Sequence, residues 1–234
     1  GLSLLNWLYG FFILPESLKP ENRRAFDIKR ANPFGAFVQL RKNKAIRMLV
    51  FVMFLLYLAG QVMPAIWPFF TKYLFKWTDR EIGYSLAFVG VMVVIVQGGL
   101  IKFSQRVFGP IRSVYVGIVM YMIGLALFAF VSQSWMAYLF TFVYSLGGIA
   151  PPSLQGIISS KIPANEQGEL QGMMTALTSV STILSPLIMT NLFYLFTKEN
   201  TTLYFPGAAF AVAAIIVGVG LIICIRELNK PPPC

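Results

Sequence analysis

The sequence has 234 residues, of which 57% are hydrophobic and only 12% are charged, and its mean hydropathy is +0.70. This composition excludes an ordinary water-soluble domain, in which about a quarter of the residues are charged. There is no histidine, and Cys224 and Cys234 make neither a disulfide framework nor a cluster with metal-ligand spacing. We therefore expect no metal and no other cofactor.

The chain begins with an apolar stretch, GLSLLNWLYGFFILP, that is too short to span a bilayer. It lacks the positive start and the cleavage site of a signal peptide, and its first residue is Gly1 rather than Met. We interpret residues 1–14 as the end of a transmembrane helix, and the chain as the C-terminal part of a longer protein.

Residues 15–47 form the longest polar segment and contain nine of the basic residues. Asn32 followed by Pro33 is a typical helix start, after which Phe34, Phe37 and Val38 share one face. This pattern predicts a cytoplasmic central linker with a short interfacial helix. A disordered linker is the alternative for residues 16–31.

Long intervals without Asp, Glu, Lys or Arg follow the linker. The interval 113–160 is about twice as long as one membrane-crossing helix requires, and Ser132-Gln133-Ser134 divides it in two. We predict an all-α membrane protein with a six-helix bundle over residues 48–225 and a cytoplasmic tail at 226–234. The predicted spans are 48–70, 83–101, 113–131, 135–158, 170–197 and 204–225.

Positive charge is unevenly distributed when the linker is placed in the cytoplasm and each helix reverses the side. The outer segments then hold four of the 19 Lys and Arg residues, Lys72, Lys76, Arg80 and Lys198, and the inner segments hold the rest. This asymmetry follows the positive-inside rule and predicts a multi-pass protein of the bacterial inner membrane with a cytoplasmic linker and C-terminus. The basic residues do not gather on one face with aromatics, so nucleic-acid binding is not expected.

Three stretches resemble the major facilitator superfamily, and within it the tetracycline-efflux-like branch of drug:proton antiporters. They are LPESLKPENRRAFDIKRANPFGA, AGQVMPAIWPFFTKYLFKWTDREIGYSLAFVG and APPSLQGIISSKIPANEQGELQGMMTALTSVSTILSPLI. The resemblance implies that residues 1–14 end helix six and that the six spans are helices seven to twelve. It also implies an N-terminal six-helix half as partner. In this branch the eighth helix carries a histidine where this chain has Val93, whereas Gln97 matches.

Amides and aromatic side chains within the spans are the candidates for a substrate cavity. A primary amide that faces lipid leaves donors and acceptors unsatisfied, which favours cavity positions for Gln61, Gln97 and Gln155. Hydrogen bonds between helices are the alternative. Tyr57, Tyr144 and Trp67 would add flat, amphipathic contact area, with the interfacial aromatic belt as the alternative for Trp67.

Small residues begin the fifth span. Gly168 and Gly172 form a small-xxx-small pair, and six hydroxyl residues follow it. Such residues let membrane helices approach closely and hydrogen-bond across the contact. Static packing and a sliding contact beside the substrate cavity are both compatible with this pattern. The hydroxyl residues are Thr175, Thr178, Ser179, Ser181, Thr182 and Ser185.

Prolines and a basic loop suggest how the bundle moves. Gly147-Gly148 followed by Pro151 and Pro152 predicts a bend that helps to gate the inner side, and Pro186 is expected to interrupt the span at 170–197. GLIKFSQRVFGPIRSVYVG resembles the C-half counterpart of the superfamily's loop between helices two and three. Arg106, Gly109 and Arg112 match it, and by the resemblance their cations would lock the outward-facing state. A solvated positive-inside loop is the alternative.

The sequence thus predicts half of a secondary active transporter, not an enzyme, that moves a small amphipathic organic compound by alternating access. Proton-coupled efflux is the expected mode. No charged residue occupies the middle of a predicted span, so the proton-carrying residue is expected outside this sequence. A metabolite importer of the same fold and a non-transporting receptor or scaffold are the alternatives.

Overall fold

A computed structural model describes residues 2–13, 44–199 and 201–229. Every regular element in these ranges is helical, which confirms the all-α class. The predicted interfacial helix near Asn32 and Pro33 lies outside the described residues, as do most of the linker and the last five residues of the tail.

Nine α-helices occupy the described ranges, and three short helical turns of other geometry join some of them. The turns are a π-helix at Val96–Leu100 and two 3₁₀ turns at Gly147–Ile149 and Ala164–Glu166. The α-helices are α1 (Leu2–Phe12), α2 (Lys44–Gly60), α3 (Val62–Phe75), α4 (Asp79–Ile95), α5 (Ile101–Ala129), α6 (Ser134–Leu146), α7 (Ala150–Ser160), α8 (Gln167–Thr197) and α9 (Ala208–Leu228).

The first predicted span is divided at Gln61 into α2 and α3. The hydroxyl group of Tyr121 in α5 lies beside Gly60, the last residue of α2. A Cβ atom added to Gly60 would lie 2.7 Å from the Tyr121 hydroxyl oxygen. The Gln61 nitrogen donates to Tyr57 O at 3.2 Å and its carbonyl accepts from Ala65 N at 3.0 Å, so the predicted span at 48–70 lies within one helical stretch that has a local irregularity at Gln61.

The chain reverses direction within α5, at Gly109. Its φ of 77° and ψ of 168° are not helical. Ser104 and Ser113 would be about 13 Å apart along a straight helix, yet Ser104 Oγ donates to Ser113 Oγ at 2.8 Å. Residues 101–108 and 110–129 therefore form the two sides of a helical hairpin.

The reversal reconciles the helix lengths with the predicted spans. Four helical stretches are long and apolar enough to cross a membrane, at Ile46–Phe75, Asp79–Ala129, Ala164–Thr197 and Ala208–Leu228. The second, with 51 residues, would be about 77 Å long if straight, so the turn at Gly109 separates two crossing segments. Each of α6 and α7 is too short alone, and the turn at Gly147–Ile149 joins them. Helical chain thus occurs at each of the six predicted positions.

The bundle core lies where α2, α3, α5, α7, α8 and α9 pack together. Helix α5 approaches the α6–α7 segment closely, because small residues bring their backbones together. A Cβ atom added to Gly117 would lie 2.6 Å from the Ala150 nitrogen, and one added to Gly124 would lie 2.5 Å from Tyr144 Cα. None of the side chains described in α1 is buried.

Candidate functional site

Helix α8 has three distinct faces, each about a third of its circumference apart. The first is buried against α2, α3 and α9 and contains Leu170, Met173, Met174, Leu177, Ser181, Ser185 and Met189. The second is exposed and apolar, with Val180, Ile183, Leu184 and Leu187. The third is exposed or half-buried and polar, with Gln171, Thr175, Thr178, Ser179 and Thr182. We call this third set the polar face. A polar face on a membrane helix fits neighbouring protein or water better than lipid.

Hydroxyls of the polar face donate to carbonyls of their own helix. Thr175 Oγ1 donates to Gln171 O at 3.0 Å, and Ser179 Oγ donates to Thr175 O at 3.0 Å. Thr178 and Thr182 make the same bond to the residue four positions earlier. Because each hydroxyl has one hydrogen, its oxygen remains only as an acceptor. The polar face therefore presents hydrogen-bond acceptors.

Two predicted cavity residues meet the polar face. Gln155 of α7 is half-buried, and its Nε2 donates to Gln171 Oε1 at 3.1 Å. Tyr57 of α2 is also half-buried, and its side chain interacts with that of Thr178. Side chains of three helices, α2, α7 and α8, are thus linked into one polar surface.

The other two glutamines are not sealed by packing. Gln61 is half-buried at the irregularity between α2 and α3, and Gln97 is exposed in the π-helix. Neither amide has a side-chain hydrogen bond to the part of the chain that the structure describes. The π-helix containing Gln97 packs on the 3₁₀ turn at Gly147–Ile149, so two irregular turns meet at one level of the bundle.

Trp67 and Tyr144 lie in the aromatic core. Trp67 is 1% exposed, its Nε1 donates to Ser85 Oγ at 2.9 Å, and its ring packs against Phe128 at 5.3 Å between centroids. The Tyr144 ring packs against that of Tyr121, with centroids 5.2 Å apart. The structure joins neither residue to the polar face.

The predicted packing and gating residues have different surroundings. A Cβ atom added to Gly168 or Gly172 would meet no atom within 4 Å, so the described chain makes no close helix contact there. Ser181 and Ser185, expected to bond across a contact, are buried hydroxyls without a partner in the described chain. Contrary to expectation, α8 continues through Pro186 without a break.

Pro151 and Pro152 follow Ala150 in the first turn of α7, which begins directly after the 3₁₀ turn. The structure therefore has an irregular turn at the position of the predicted bend. Proline has no N–H group, so neither residue can donate the helical bond to the carbonyl four positions earlier. The missing bonds explain why α6 and α7 are separate helices.

The predicted cytoplasmic loop forms the tip of the helical hairpin that turns at Gly109. Arg106 and Arg112 are both exposed, and neither makes an ion pair with a described residue. Ser113 Oγ donates to Gly109 O at 2.7 Å, and Gln105 Nε2 donates to Ser153 Oγ at 3.2 Å. These bonds hold the tip against α7.

Sequence reasoning missed Gln167 and Gln171, two amides one helical turn apart at the start of α8. Gln167 accepts from Ser159 Oγ at 2.7 Å and donates to the carbonyls of Ser159 and Ile162, both at 2.9 Å. It thereby closes the loop between α7 and α8. Gln167 and Gln171 are four residues apart, as are their partners Ser159 and Gln155 on α7. This matched spacing is the signal that could have revealed the two bridges between α7 and α8.

Comparisons with known proteins agree with this architecture. The family model of the Major Facilitator Superfamily matches residues 49–233. The chain is 34% identical to the class C tetracycline resistance protein of Escherichia coli over 192 residues, which are 82% of this chain and 48% of that protein. It is 29% identical to the class D protein of Salmonella ordonez over 232 residues, 99% of this chain and 57% of that protein.

A solved structure has the same fold. The human organic anion transporter MFSD10 (TETRAN) superposes with a TM-score of 0.77 at 16% sequence identity, covering 95% of this chain and 55% of that one. The chain spans about half the length of the curated relatives it matches.

Proposed function

Because this chain belongs to the Major Facilitator Superfamily, an integral-membrane family of transporters rather than enzymes, we propose that it forms the C-terminal half of a secondary active transporter. The transporter exports a small amphipathic organic compound by alternating access in exchange for protons. The observation that carries this proposal is the polar face of α8, which is joined to Tyr57 and Gln155 and left open by the rest of the described chain.

The proposed partner is an N-terminal six-helix half. Four glycines of α4 and the π-helix, together with two of α8, have no atom within 4 Å of an added Cβ, which leaves both helices free for close contact with further helices. These glycines are Gly83, Gly90, Gly98, Gly99, Gly168 and Gly172. The compound would be enclosed between the two halves, against the polar face.

The coupling ion and the location are parts of the same proposal. The predicted spans of this half contain no charged residue in their middle, so the proton-carrying group belongs to the partner half. The protein resides in the bacterial inner membrane with the linker and C-terminus in the cytoplasm, as the distribution of Lys and Arg favours. Val93 replaces the histidine that the resemblance leads one to expect, which favours amphipathic compounds other than tetracycline as the substrate.

Transport can be tested with the full-length protein in vesicles that carry an imposed pH gradient. Flux of a panel of amphipathic compounds is measured for the wild type and for Gln171→Ala. We expect gradient-dependent flux of at least one compound and a loss of about ten-fold in the variant, because the variant removes the amide that Gln155 contacts. Gln133→Ala, which removes an exposed amide at the α6 start, is the matched control. No gradient-dependent flux for any compound would refute the antiporter proposal.

A labelling experiment tests the open face independently of the substrate. In the full-length protein, Thr175→Cys on the polar face should react with a water-soluble thiol reagent. Leu187→Cys on the exposed apolar face of the same helix should not, because lipid excludes the reagent. Equal protection of both positions would instead support a sealed, non-transporting scaffold.

A further inference from the structure

The tip of the helical hairpin that turns at Gly109 combines positive charge with exposed apolar surface. Lys102, Arg106 and Arg112 are exposed there, and Phe103 and Val107 are 63% and 55% exposed. We call these five residues the hairpin tip. The proposed transport function does not account for the apolar members, since a loop in water gains nothing from an exposed phenylalanine.

The side chains of the tip form two parallel ridges. Lys102 and Arg106 are four residues apart in α5 and therefore lie on one side of the helix, and Phe103 and Val107 repeat the same spacing one position later. A row of cations thus runs beside a row of apolar groups. This is the arrangement of a helix that lies at a membrane surface, with its apolar groups in the acyl boundary and its cations at the headgroups.

The tip is held in place by hydrogen bonds. Ser104 Oγ donates to Ser113 Oγ, whose own hydrogen is bonded to Gly109 O, and Gln105 is bonded to Ser153 of α7. Both sides of the turn are therefore fixed to each other and to the bundle. A ligand at the tip therefore meets a backbone that is already ordered, and only the side chains of the cations have to be ordered on binding.

No carboxylate within the part of the chain that the structure describes neutralises these cations. Residues 82–165 contain neither Asp nor Glu, and none of the three cations makes an ion pair with a described residue. The described ion pair of this half, between Lys72 and Asp79, lies at the opposite end of α4. The tip therefore keeps three positive charges available to an external anion.

The C-terminal end of α9 lies at the same level as the tip. Tyr115, six residues after Gly109 in α5, donates from its hydroxyl to Asn229 Oδ1 at 3.3 Å. Arg226 is exposed in the last turn of α9 and adds a further cation at this level. Arg226 adjoins Glu227 in that turn, so the three cations of the tip carry the positive charge of this part of the surface, on the side that the positive-inside rule assigns to the cytoplasm.

We propose that the hairpin tip binds the headgroup of an anionic phospholipid. Lys102, Arg106 and Arg112 would contact its phosphate, and Phe103 and Val107 would pack on its glycerol and upper acyl chain. A free phosphate would use the cations but not the apolar ridge, so the pairing of both ridges favours a lipid. The tip connects the π-helix, which carries Gln97, to residues 110–129 of α5, so lipid composition would act on the segment that carries this predicted cavity residue.

The test uses the full-length protein with the substitution Val107→Cys labelled with bimane. The same protein without that substitution is used to subtract labelling at native cysteines. Vesicles of phosphatidylcholine contain increasing fractions of brominated phosphatidylglycerol or, in parallel, brominated phosphatidylcholine, and bromine quenches the label on contact. We expect brominated phosphatidylglycerol to reach half-maximal quenching at a fraction lower by at least about ten-fold than brominated phosphatidylcholine, because each of the three cations strengthens binding to an anionic surface by up to roughly five-fold.

Neutralising the tip should abolish this preference. In Lys102→Gln, Arg106→Gln, Arg112→Gln the two quenching curves should coincide. The same charge loss at the other surface, Lys76→Gln, Arg80→Gln, Lys198→Gln, should leave the preference at the reporter unchanged. Salt at about 1 M should weaken the preference in the wild-type sequence, which tests the proposal even if the triple variant does not fold.

Two outcomes would overturn the proposal. Equal quenching by the two lipids in the wild-type sequence would show that the tip has no preference for anionic headgroups. Displacement of brominated phosphatidylglycerol by millimolar glycerol phosphate in solution would identify a site for a free phosphate instead. Neither readout requires transport, so failure of the proposed function would not affect this test.

Discussion

Gly117 of α5 lies so close to Ala150 of α7 that no side chain fits between them. An added Cβ atom would come within 2.6 Å of the Ala150 nitrogen and 2.9 Å of its Cα atom. Backbone atoms cannot move aside as a flexible side chain can. We therefore expect Gly117→Ala to force α5 and α7 apart and to cost about 1–3 kcal/mol of stability.

A thermal unfolding series on the full-length protein in detergent would check this expectation. Gly117→Ala should lower the apparent Tm by several degrees. Gly90→Ala is the matched control, because a Cβ atom at Gly90 meets no atom within 4 Å, and it should not lower the Tm in the same detergent. If the two alanines behave alike, the close α5–α7 contact is wrong.

Ser85 is the hydrogen-bond partner of the buried Trp67 indole. Ser85→Ala leaves that N–H group without an acceptor in the core, which typically costs about 1–3 kcal/mol. Trp67→Phe removes the N–H group but also leaves a smaller ring. In a double-mutant cycle, Ser85→Ala should cost less stability when Trp67 is already phenylalanine.

The same variants distinguish a core tryptophan from a substrate-contacting one. Because Trp67 is enclosed by aromatic rings, the folded fraction of Trp67→Phe should keep the substrate preference of the wild type. A changed preference among transported compounds, at unchanged stability, would place Trp67 in the substrate site and contradict its assignment to the core.

Sequence patterns predicted the membrane class and the positions of the helices well, because charge-free intervals report directly on the solvent. They could not predict the close contact between Gly60 and Tyr121, which lies sixty-one residues away in the chain. They did not separate Trp67 from Gln155 either, since both are polar-tipped residues in apolar stretches. In the folded chain, Trp67 packs against Phe128, whereas Gln155 contacts Gln171.

Prolines illustrate the same limit. Pro151 and Pro152 coincide with a change of helix, whereas Pro186 lies within a continuous α8. The two cases differ locally, since Gly147-Gly148 precedes the first pair and lets the backbone adopt a 3₁₀ turn. A single proline in a long helix removes only one backbone bond, and the remaining bonds keep the helix intact.

Gln167 should control access to the loop between α7 and α8. Gln167→Ala removes two amide bonds to the Ser159 and Ile162 carbonyls and the acceptor of the Ser159 hydroxyl. At about 1 kcal/mol per bond, local opening should become roughly ten-fold or more frequent. Trypsin cleavage after the exposed Lys161 should accelerate correspondingly in limited proteolysis of vesicles whose cytoplasmic face is accessible.

A control with the same loop sequence is Gln171→Ala, which leaves all bonds of Gln167 in place. Its cleavage rate at Lys161 should match that of the wild type, although its flux should fall. Equal acceleration in both variants would mean that the bridge between Gln155 and Gln171, rather than Gln167, holds the loop closed.

Gly109 should tolerate no other residue, for a reason unlike that at Gly117. A Cβ atom would meet nothing within 4 Å, so space is not the obstacle. The obstacle is the backbone conformation. A φ of 77° with a ψ of 168° belongs to a region that is essentially restricted to glycine and costs other residues about 1–3 kcal/mol. Gly109→Ala should therefore lower the apparent Tm of the full-length protein despite the open surroundings.

Asparagine provides the decisive comparison at this position. Asn is the residue that most readily replaces glycine in the left-handed helical region, where ψ is near 45°, but ψ at Gly109 is far from that value. Gly109→Asn should thus be as destabilising as Gly109→Ala. A clear recovery of Tm with asparagine would mean that the turn has ordinary left-handed geometry, and that the bond between Ser104 and Ser113 does not require the backbone described here.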